Sequence, residues 1–455
     1  MFFSVTTIEV RKGLKWHAAT ILFLFILLLA LVAPVDYTPL ENQPFYSRMM
    51  NKLDTFQLET YPASQPTKVG WSQFPIVPDH PVAMAGYRVR EKFIDVHDSL
   101  YARILTIDNG STTVYFISVD LLLFPPALKE LLIKKAKLTA SDFMYFSATH
   151  THTGVGGWDP TTLGEFLMGD YQETWMNQLA DNIIHHMQKA KDTMRPATIL
   201  SWEANGLKYV VHRIDKTGKS LVDGKLRGVS VIREDSTKAL LFTFGVHPTL
   251  ISRKGTSLSA DYPGVVISEL HKEYQYSQFL AGMMGSHGVA GLPIYEFPFV
   301  DLVGKSLAKN ILGAEQIQEG NQLRIKTGHI KIEHGPSQLR LTKNLKLRNW
   351  VFEWLTGPLT GEIDVVKIGD ILFLGVSCDF SGEIFKDGNF EAKASAVNSK
   401  LIITSFNGEY TGYITADAHY SKSAHEEVRA LNWVGPYFGK YYSEIIEQII
   451  GKSSQ

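Results

Sequence analysis

The sequence has very little cysteine and no excess of charge of either sign. One cysteine, Cys378, stands in 455 residues, so no intrachain disulfide can form, and the cysteine content favours neither an oxidising nor a reducing compartment. Lys and Arg total 45 against 46 Asp and Glu, which gives a net charge of -1. A chain so balanced has no general electrostatic attraction to polyanions, and the sequence therefore gives no support to a nucleic-acid partner.

Several catalytic motifs are also missing from the sequence. The His-Glu-x-x-His pattern of zinc proteases has no match, because the segment HEEVR ends in Arg429. The Gly-x-Ser-x-Gly turn of serine hydrolases fails around Ser286, where Met284 occupies the first glycine position. The metallo-β-lactamase pattern needs an aspartate where Gly154 stands. The sequence therefore lacks the motifs of these three hydrolase classes.

A long hydrophobic run is present at the N-terminus. Between Lys15 and Asp36 the only titratable side chain is His17, and the apolar run is close to the roughly 20 residues that cross a bilayer. Signal cleavage after Ala33 would put Leu31 where a small residue is wanted, which favours retention of the segment. A buried core helix is the alternative. We predict one transmembrane helix, with a cytoplasmic N-terminus and everything after Asp36 outside, periplasmic or extracellular.

These features divide the chain into four segments. Residues 1–16 are the predicted cytoplasmic N-terminus, and residues 17–35 are the predicted transmembrane anchor or uncleaved signal. Residues 36–68 contain four prolines and are predicted to be a linker. Residues 69–455, in which strands and helices alternate, are predicted to form one layered domain of mixed α/β (α+β) class.

Hydrophobic periodicity gives the order of the elements in the folded part of the chain. Strands are predicted over residues 112–124, 141–146, 228–233, 240–246, 323–332, 371–376 and 401–404. Helices are predicted over residues 126–138, 171–194, 262–273, 382–397 and 441–450.

Side chains that bind metals follow the ends of several of these strands. The stretch MYFSATHTHTGVGGWDP places His150 and His152 two residues apart, so in extended chain both face one side. His247 and Asp379 each follow another apolar strand, and Tyr413 lies in a segment rich in aromatics and turn formers. Singly, each has a structural explanation as a hydrogen-bonded histidine, a helix N-cap or a packed tyrosine. Together they predict a divalent metal site, because such ions need several converging ligands.

The segment FSATHTHTGVGG resembles the histidine motif of the neutral, non-lysosomal ceramidases, zinc amidases that hydrolyse the N-acyl bond of ceramide. The segment AGYRVREKFIDVHDSLYARILTID resembles the part of that family that precedes the motif. The resemblance runs in order from about Val69 to Pro436. It implies the family's fold, its cofactor and its lipid substrate.

Carried across residue by residue, the resemblance implies a Zn²⁺ ion held by His150, His247, Asp379 and Tyr413. It further implies that His152 and Tyr413 are catalytic and that His152, Arg213 and His425 contact the substrate. Two of these positions depart from the family pattern. Asp379 stands where the family has a glutamate, and His425 stands where it has a tyrosine. The mid-chain loop AGMMGSHGVAGLP also lacks the family's Asn and Ser-Pro residues, which predicts a differently shaped pocket.

The predicted function is therefore zinc-dependent hydrolysis of ceramide, or of a related N-acyl lipid, to fatty acid and sphingoid base at a membrane. Two alternatives remain open: a membrane-anchored lipid-binding protein without catalysis, and a metal-dependent amidohydrolase acting on another amide. If the substrate is a lipid, four apolar residues after the glycine-rich loop are expected to line an entrance for its acyl chain: Trp158, Phe166, Leu167 and Met168.

Overall fold

The computed structural model of the protein describes residues 4–87, 89–290 and 296–454. The helices are α1 (Ser4–Leu31), α2 (Pro44–Thr55), α3 (Pro126–Lys135), α4 (Thr162–Met168), α5 (Glu173–Asp192), α6 (Asp261–Leu270), α7 (Phe297–Leu312), α8 (Asn349–Thr356), α9 (Gly382–Asp387), α10 (Phe390–Ser395), α11 (Asp417–Tyr420), α12 (Glu426–Arg429) and α13 (Phe438–Lys452), with short 3₁₀ turns at Leu40–Asn42 and Leu207–Tyr209. The strands are β1 (Val32–Pro34), β2 (Glu59–Tyr61), β3 (Lys68–Pro75), β4 (Asp95–Val96), β5 (Tyr101–Asp108), β6 (Thr113–Val119), β7 (Phe143–Ala148), β8 (Arg195–Asn205), β9 (Val210–His212), β10 (Lys225–Arg233), β11 (Lys238–Phe244), β12 (Ser257–Leu258), β13 (Tyr276–Ala281), β14 (His287–Val289), β15 (Gln316–Gly320), β16 (Ile325–Lys331), β17 (Leu345–Leu347), β18 (Glu362–Ile368), β19 (Ile371–Val376), β20 (Asp379–Phe380), β21 (Lys400–Ser405) and β22 (Tyr413–Ile414).

Two mixed sheets pack face to face, and helices cover their outer surfaces. The larger sheet has the order β13-β11-β10-β8-β3-β5-β6-β7, with β15 added beside β8, and the smaller has the order β2-β16-β18-β19-β21. Along β11, Ala239 and Leu241 point into the core between the sheets, while Leu240 and Phe242 point toward the helices. This alternation follows from the two-residue period of a strand. The predicted mixed α/β class is confirmed.

The larger sheet curls so that its two edges approach each other. β13, at one edge, contacts β5, β6 and β7 near the other edge. The side-chain amide of Gln278 on β13 donates to the backbone carbonyls of Arg103 and Phe116, at 3.2 and 3.1 Å. β7 and β11 lie near opposite edges of the sheet, and each leads directly into a histidine segment. The curl therefore brings the two histidine segments close together.

The predicted transmembrane segment, residues 17–35, is divided between two elements. α1 ends at Leu31, and Val32 begins β1, which pairs antiparallel with β17. Among the residues that the structure describes, no helix has the length and hydropathy needed to cross a membrane. The C-terminal boundary of the predicted helix is wrong because the backbone carbonyl of Leu31 accepts a hydrogen bond from the Arg348 amide, and strand pairing with β17 follows at once.

Residues 36–68, predicted to be a linker, instead contain α2 and β2 and pack onto the body of the protein. Phe45, Met49 and Leu53 of α2 are buried among residues of the smaller sheet and α13. Pro44 does not interrupt this helix, because it occupies the first helical turn, where a backbone N–H has no helical partner. The prolines of this segment therefore mark element ends and not an extended tether.

Most of the other predicted elements are present, although the strand predicted over residues 112–124 ends at Val119. β19 has the predicted bounds, and α5 and α13 cover most of their predicted ranges. The predicted helix over residues 382–397 is two helices, α9 and α10, separated at Asn389. Asn389 has a φ of 50°, a left-handed conformation that does not continue an α-helix.

Candidate metal centre

Two of the predicted ligands are histidines whose rings are oriented by backbone carbonyl groups. His150 follows β7, and its Nδ1 lies 2.5 Å from the carbonyl oxygen of Leu122. His247 follows β11, and its Nδ1 lies 3.1 Å from the carbonyl oxygen of His287. A carbonyl can only accept, so each Nδ1 carries the proton and each Nε2 presents a lone pair. Both rings therefore have the tautomer of a metal ligand.

A carboxylate oxygen lies between these two lone pairs. Oδ1 of Asp379 is 3.5 Å from Nε2 of His150 and 3.5 Å from Nε2 of His247. That oxygen is buried and has no hydrogen-bond partner among the residues that the structure describes. Its neighbour Oδ2 accepts a hydrogen bond from the phenol of Tyr410 at 2.7 Å. The arrangement leaves one carboxylate oxygen facing two lone pairs, an unfavourable contact that a cation among them would relieve.

Tyr413 and His152 complete the cluster. β20 and β22 pair in parallel with Asp379 opposite Tyr413, which places the two side chains side by side. The Tyr413 phenol oxygen is 2.9 Å from Nε2 of His247. Nε2 of His152 is 3.3 Å from Nε2 of His150. One ring nitrogen from each of the three histidines lies within 4.8 Å of the other two, which suits one shared cation.

Burial controls the ionisation of these groups. Burial lowers the pKa of His150 to about 3 and holds the pKa values of His152 and His247 well below 6.5. The imidazoles are therefore neutral at pH 7. Burial also raises the pKa of Asp379 to about 7, against the opposing effect of the Tyr410 hydrogen bond. A cation beside the carboxylate would oppose that desolvation and keep Asp379 ionised.

His150 is held in a backbone conformation that is unusual for histidine. Its φ is 62°, in the left-handed region, and Phe406 has a φ of 67°. The two rings stack, with centroids 4.3 Å apart and an interplanar angle of 13°. Strained residues of this kind persist where the surrounding structure holds them, and they cluster at functional sites. Here the strain turns the His150 ring back toward the centre immediately after the strand ends.

Arg213 lies beside the centre, in an ion pair with Glu427. Nη1 of Arg213 is buried and without a hydrogen-bond partner within the described ranges of the chain. Burial raises the pKa of Glu427 to about 7, although Arg213 opposes that shift. The guanidinium is therefore fixed at one end, and its other end remains available for a polar group entering the site.

The structure places the remaining predicted residues less favourably. His425 caps the N-terminus of α12, where its Nδ1 accepts a hydrogen bond from the Glu427 amide at 3.4 Å, and its side chain is half-buried. Trp158 and Met168, predicted to line an acyl-chain entrance, are packed in the core beneath the larger sheet. Phe166 is exposed. The buried positions of Trp158 and Met168 do not favour an entrance for an acyl chain, and the contact of His425 with substrate stays a prediction.

Several residues of the centre were missed by sequence reasoning. Tyr410 bonds the candidate ligand Asp379, Phe406 stacks on His150 and Glu427 pairs with Arg213. Phe406 and Tyr410 both follow the strand predicted over residues 401–404, and aromatic residues after that strand were the available signal. Nothing in the sequence indicated that Glu427 is buried beside Arg213, because a glutamate in a short helix is usually exposed to solvent.

A second cluster of possible ligands, also missed, lies on the same side of the fold. Oε2 of Glu383 on α9 is 3.0 Å from Nε2 of His212 and 2.8 Å from Nε2 of His419. Nδ1 of His212 accepts hydrogen bonds from the backbone amides of Ile214 and Asp215, at 3.2 and 2.8 Å. Because Nδ1 accepts, Nε2 carries the proton and donates to Glu383. This cluster is a satisfied hydrogen-bond network and presents no lone pair of His212 to a metal.

Comparison with known proteins finds a family match over part of the chain and a shared fold over most of it. Residues 77–292 match the family model described as neutral/alkaline non-lysosomal ceramidase, N-terminal. The neutral ceramidase from Pseudomonas aeruginosa has a similar crystal structure, with a TM-score of 0.72 at 15% identity, over 86% of this chain and 75% of that one. A structure described as a ceramidase complexed with C2 is similar too, with a TM-score of 0.70 at 15% identity, over 85% and 75% of the two chains. At this identity the structural matches show a shared fold, and the sequence match over residues 77–292 confirms that this region belongs to the neutral/alkaline non-lysosomal ceramidase family.

Proposed function

We propose that the protein is a zinc-dependent amidase that hydrolyses the N-acyl bond of ceramide, or of a related N-acyl lipid, to fatty acid and sphingoid base. One observation carries the proposal. Oδ1 of Asp379, buried and without a partner in the described part of the chain, lies 3.5 Å from the Nε2 atoms of both His150 and His247. The tautomers of both rings point these lone pairs at the same place.

The donor set fits zinc. His150, His247 and Asp379 offer two imidazole nitrogens and a carboxylate oxygen, which are ligand types that zinc accepts, and the phenol of Tyr413 adds an oxygen as a fourth donor beside them. The carbonyl groups behind both imidazoles and the Tyr410 phenol behind the carboxylate supply the outer hydrogen bonds that orient metal ligands. Zinc, when bound, supplies a Lewis acid that lowers the pKa of water toward about 7 and polarises an amide carbonyl.

His152 is suited to moving protons in this reaction. Its Nδ1 is buried and unpartnered by any residue that the structure describes, and burial keeps the ring neutral at pH 7. A neutral imidazole accepts a proton from water and returns it to the leaving amine. The donation from Arg90 Nη1 to the His152 carbonyl, at 2.8 Å, and the contact with the Tyr87 ring hold the histidine in place.

Arg213 and Tyr413 supply donors for the charge that develops on the amide oxygen. The buried Nη1 of Arg213 and the phenol of Tyr413 lie on the side of the centre where Glu427 anchors the guanidinium. Donors fixed before the reaction begins stabilise an oxyanion without reorganisation. These two side chains therefore bind and orient the carbonyl group, while His152 handles the proton.

The choice of a lipid amide rests on the family match and on the exposed apolar surface of the protein. The matched family is named for ceramidase activity, and the apolar helix α1 is exposed along its described side chains. The location of the protein, with the N-terminus cytoplasmic and the catalytic body outside, stays a prediction, as does the contact between His425 and substrate.

The test combines metal analysis with a lipid assay. The purified full chain is expected to carry about one zinc per molecule and to release fatty acid from a fluorescent N-acyl sphingosine. A chelator should abolish release, and added zinc should restore it. Bound lipid without zinc and without turnover would establish the lipid-binding alternative. Turnover of small amides in preference to N-acyl lipids would establish the other amidohydrolase.

A further inference from the structure

Three large aromatic side chains lie exposed on two neighbouring helices. Trp350 and Trp354 of α8 are 54% and 66% exposed, and Phe166 of α4 is 68% exposed. The two tryptophans are four residues apart on one helix and so share a side of it. α4 packs against α8. We call Phe166, Trp350 and Trp354 the aromatic face. Monomeric soluble proteins rarely expose contiguous apolar surface, and where they do it marks an interaction site.

The aromatic face adjoins the end of α1. The indole N–H of Trp350 donates to the carbonyl of Ala30 at 3.1 Å, and Nε of Arg348 donates to the carbonyl of Leu29 at 2.7 Å. These bonds satisfy carbonyl groups that a helix leaves unpaired at its C-terminus. α8 therefore begins where α1 ends, and whatever covers the last turns of α1 also meets the aromatic face.

The exposed part of α1 identifies the partner. From Ile21 to Leu29 every residue is apolar and at least 41% exposed, so apolar side chains surround the whole helix. A protein partner with one binding surface covers one side of a helix, whereas a helix that is apolar all round requires an apolar medium on every side. Tryptophan side chains, with an apolar ring and a polar N–H, favour the interface between lipid and water.

The aromatic face is also connected to the candidate metal centre. Phe352, on the buried side of α8, packs edge-on against Trp433 with ring centroids 5.5 Å apart. Trp433 packs against Tyr410 at 5.1 Å, and the Tyr410 phenol bonds Asp379. Three aromatic side chains in contact, Phe352, Trp433 and Tyr410, therefore connect α8 to a candidate zinc ligand.

We propose that the aromatic face lies at the surface of a lipid bilayer, with the apolar side chains of α1 among the acyl chains beside it. In this position α8 faces the bilayer, and the metal centre lies behind α8. A lipid substrate in the bilayer would therefore be close to the metal centre. The docking itself does not depend on the proposed hydrolysis, although its benefit to the enzyme does.

The direct test measures immersion of the face. The full chain with Trp354→Cys, labelled with an environment-sensitive fluorophore, is reconstituted into phosphatidylcholine vesicles that contain nitroxide lipids. The native thiol Cys378 is buried, so labelling is confined to the new cysteine. The matched control is Leu302→Cys on α7, an apolar position that is 54% exposed, against 66% for Trp354. We expect blue-shifted emission and several-fold stronger quenching at position 354. Equal, water-like emission from the two positions would overturn the proposal.

A second measurement links docking to activity. Trp354→Ala removes one exposed ring and with it apolar contact with the bilayer. We measure the ratio of the hydrolysis rate of an N-acyl lipid in vesicles to its rate in detergent micelles. We expect this ratio to fall about tenfold in Trp354→Ala. Leu302→Ala should leave that ratio as in the wild type. An unchanged ratio in Trp354→Ala would count against the docking. Absence of hydrolysis in every protein would refute the proposed function but leave the fluorescence result to decide the docking.

Discussion

Two clusters of histidine and carboxylate lie on the same side of the molecule, and the atoms behind the rings distinguish them. In the centre formed by His150, His247 and Asp379, each Nδ1 faces a backbone carbonyl, so the Nε2 lone pairs face an unpartnered carboxylate oxygen. In the cluster of His212, Glu383 and His419, the Nδ1 of His212 faces two backbone amides, so its Nε2 carries a proton toward the carboxylate.

The different partners of Nδ1 in the two clusters show that histidines and carboxylates lying close together do not by themselves make a metal site. Both clusters bring nitrogen and oxygen atoms within reach of one another. One is satisfied by its own hydrogen bonds, and the other contains a buried carboxylate oxygen that has no hydrogen-bond partner among the described residues and lies 3.5 Å from two imidazole nitrogens. Because the tautomer of a histidine is set by its second nitrogen, the backbone around each ring decides which cluster binds a cation.

The largest effect is expected for the histidine ligands. His150→Ala and His247→Ala should each lose bound zinc and reduce amide turnover by about a thousandfold or more, because the Lewis acid is lost. His212→Ala should retain zinc. Zinc per chain, measured by mass spectrometry after dialysis, and fatty-acid release are the two readouts.

His185→Ala and His186→Ala provide the control for this experiment. Both residues lie on α5, His185 is exposed, and His186 bonds Ser72 at 2.7 Å. Neither change should affect zinc content. Loss of zinc from His212→Ala, together with its retention in His150→Ala, would reverse the assignment of the two clusters.

The carboxylates should separate the clusters next. Asp379→Asn and Asp379→Ala remove the charge that faces two lone pairs and should weaken zinc binding about a hundredfold or more, whereas Asp379→Glu keeps a carboxylate and should retain substantial activity. Glu383→Gln should keep its zinc and lose about 1–3 kcal/mol of unfolding free energy, since buried hydrogen bonds from two histidines are weakened.

Zinc titration and denaturant unfolding of the four variants give these values. Equal zinc affinity in wild type, Asp379→Asn and Asp379→Ala would remove Asp379 from the ligands. Zinc loss in Glu383→Gln would mean that the second cluster binds the metal or controls it.

The sequence predicted the positions of the candidate ligands well because local patterns determine them. Each apolar strand ends where a turn former or proline follows, and the ligand stands at that boundary, as His247 does before Pro248. The placement of these ends around one centre depends on the curl of the larger sheet. Periodicity along a single strand carries no information about curl, so the geometry of the centre could only be inferred from the family resemblance.

Other features were beyond sequence reasoning for different physical reasons. α2 was predicted to be linker because proline usually marks loops, but Pro44 is compatible with a first helical turn. The left-handed backbone at His150 has no composition signal, since such conformations are imposed by surrounding contacts. The tautomers that separate the two clusters depend on carbonyl and amide groups from distant segments, such as the Leu122 carbonyl.

A smaller effect is expected from the residue that supports the carboxylate. Tyr410→Phe removes the hydrogen bond to Oδ2 of Asp379 and should lower zinc affinity about 10- to 100-fold while keeping the packing of the ring against Trp433. The control is Tyr46→Phe, which removes a comparable hydrogen bond to Glu444, at 2.9 Å, far along the chain from the ligands. If both variants bind zinc equally well, Tyr410 has no part in holding the metal.

The smallest effect is a pH dependence of stability from the second cluster. The hydrogen bond with Glu383 raises the pKa of His419 above 6.5; burial acts to raise the Glu383 pKa, but hydrogen bonds from His212 and His419 outweigh it and hold that pKa below 4.5. The His419 contribution is therefore complete below about pH 6.5 and is lost as the pH rises through its folded pKa, whereas the Glu383 contribution is present above about pH 4.5 and is lost as the pH falls through its folded pKa. Both contributions are present between these limits.

His419→Gln keeps an N–H donor without the charge, so its Tm should fall about 1–3 °C below wild type near pH 5.5 and approach wild type near pH 8.5. A Tm difference that is the same at both pH values would show that a charged His419 adds nothing to the network, and would leave the two clusters distinguished by the His212 tautomer alone.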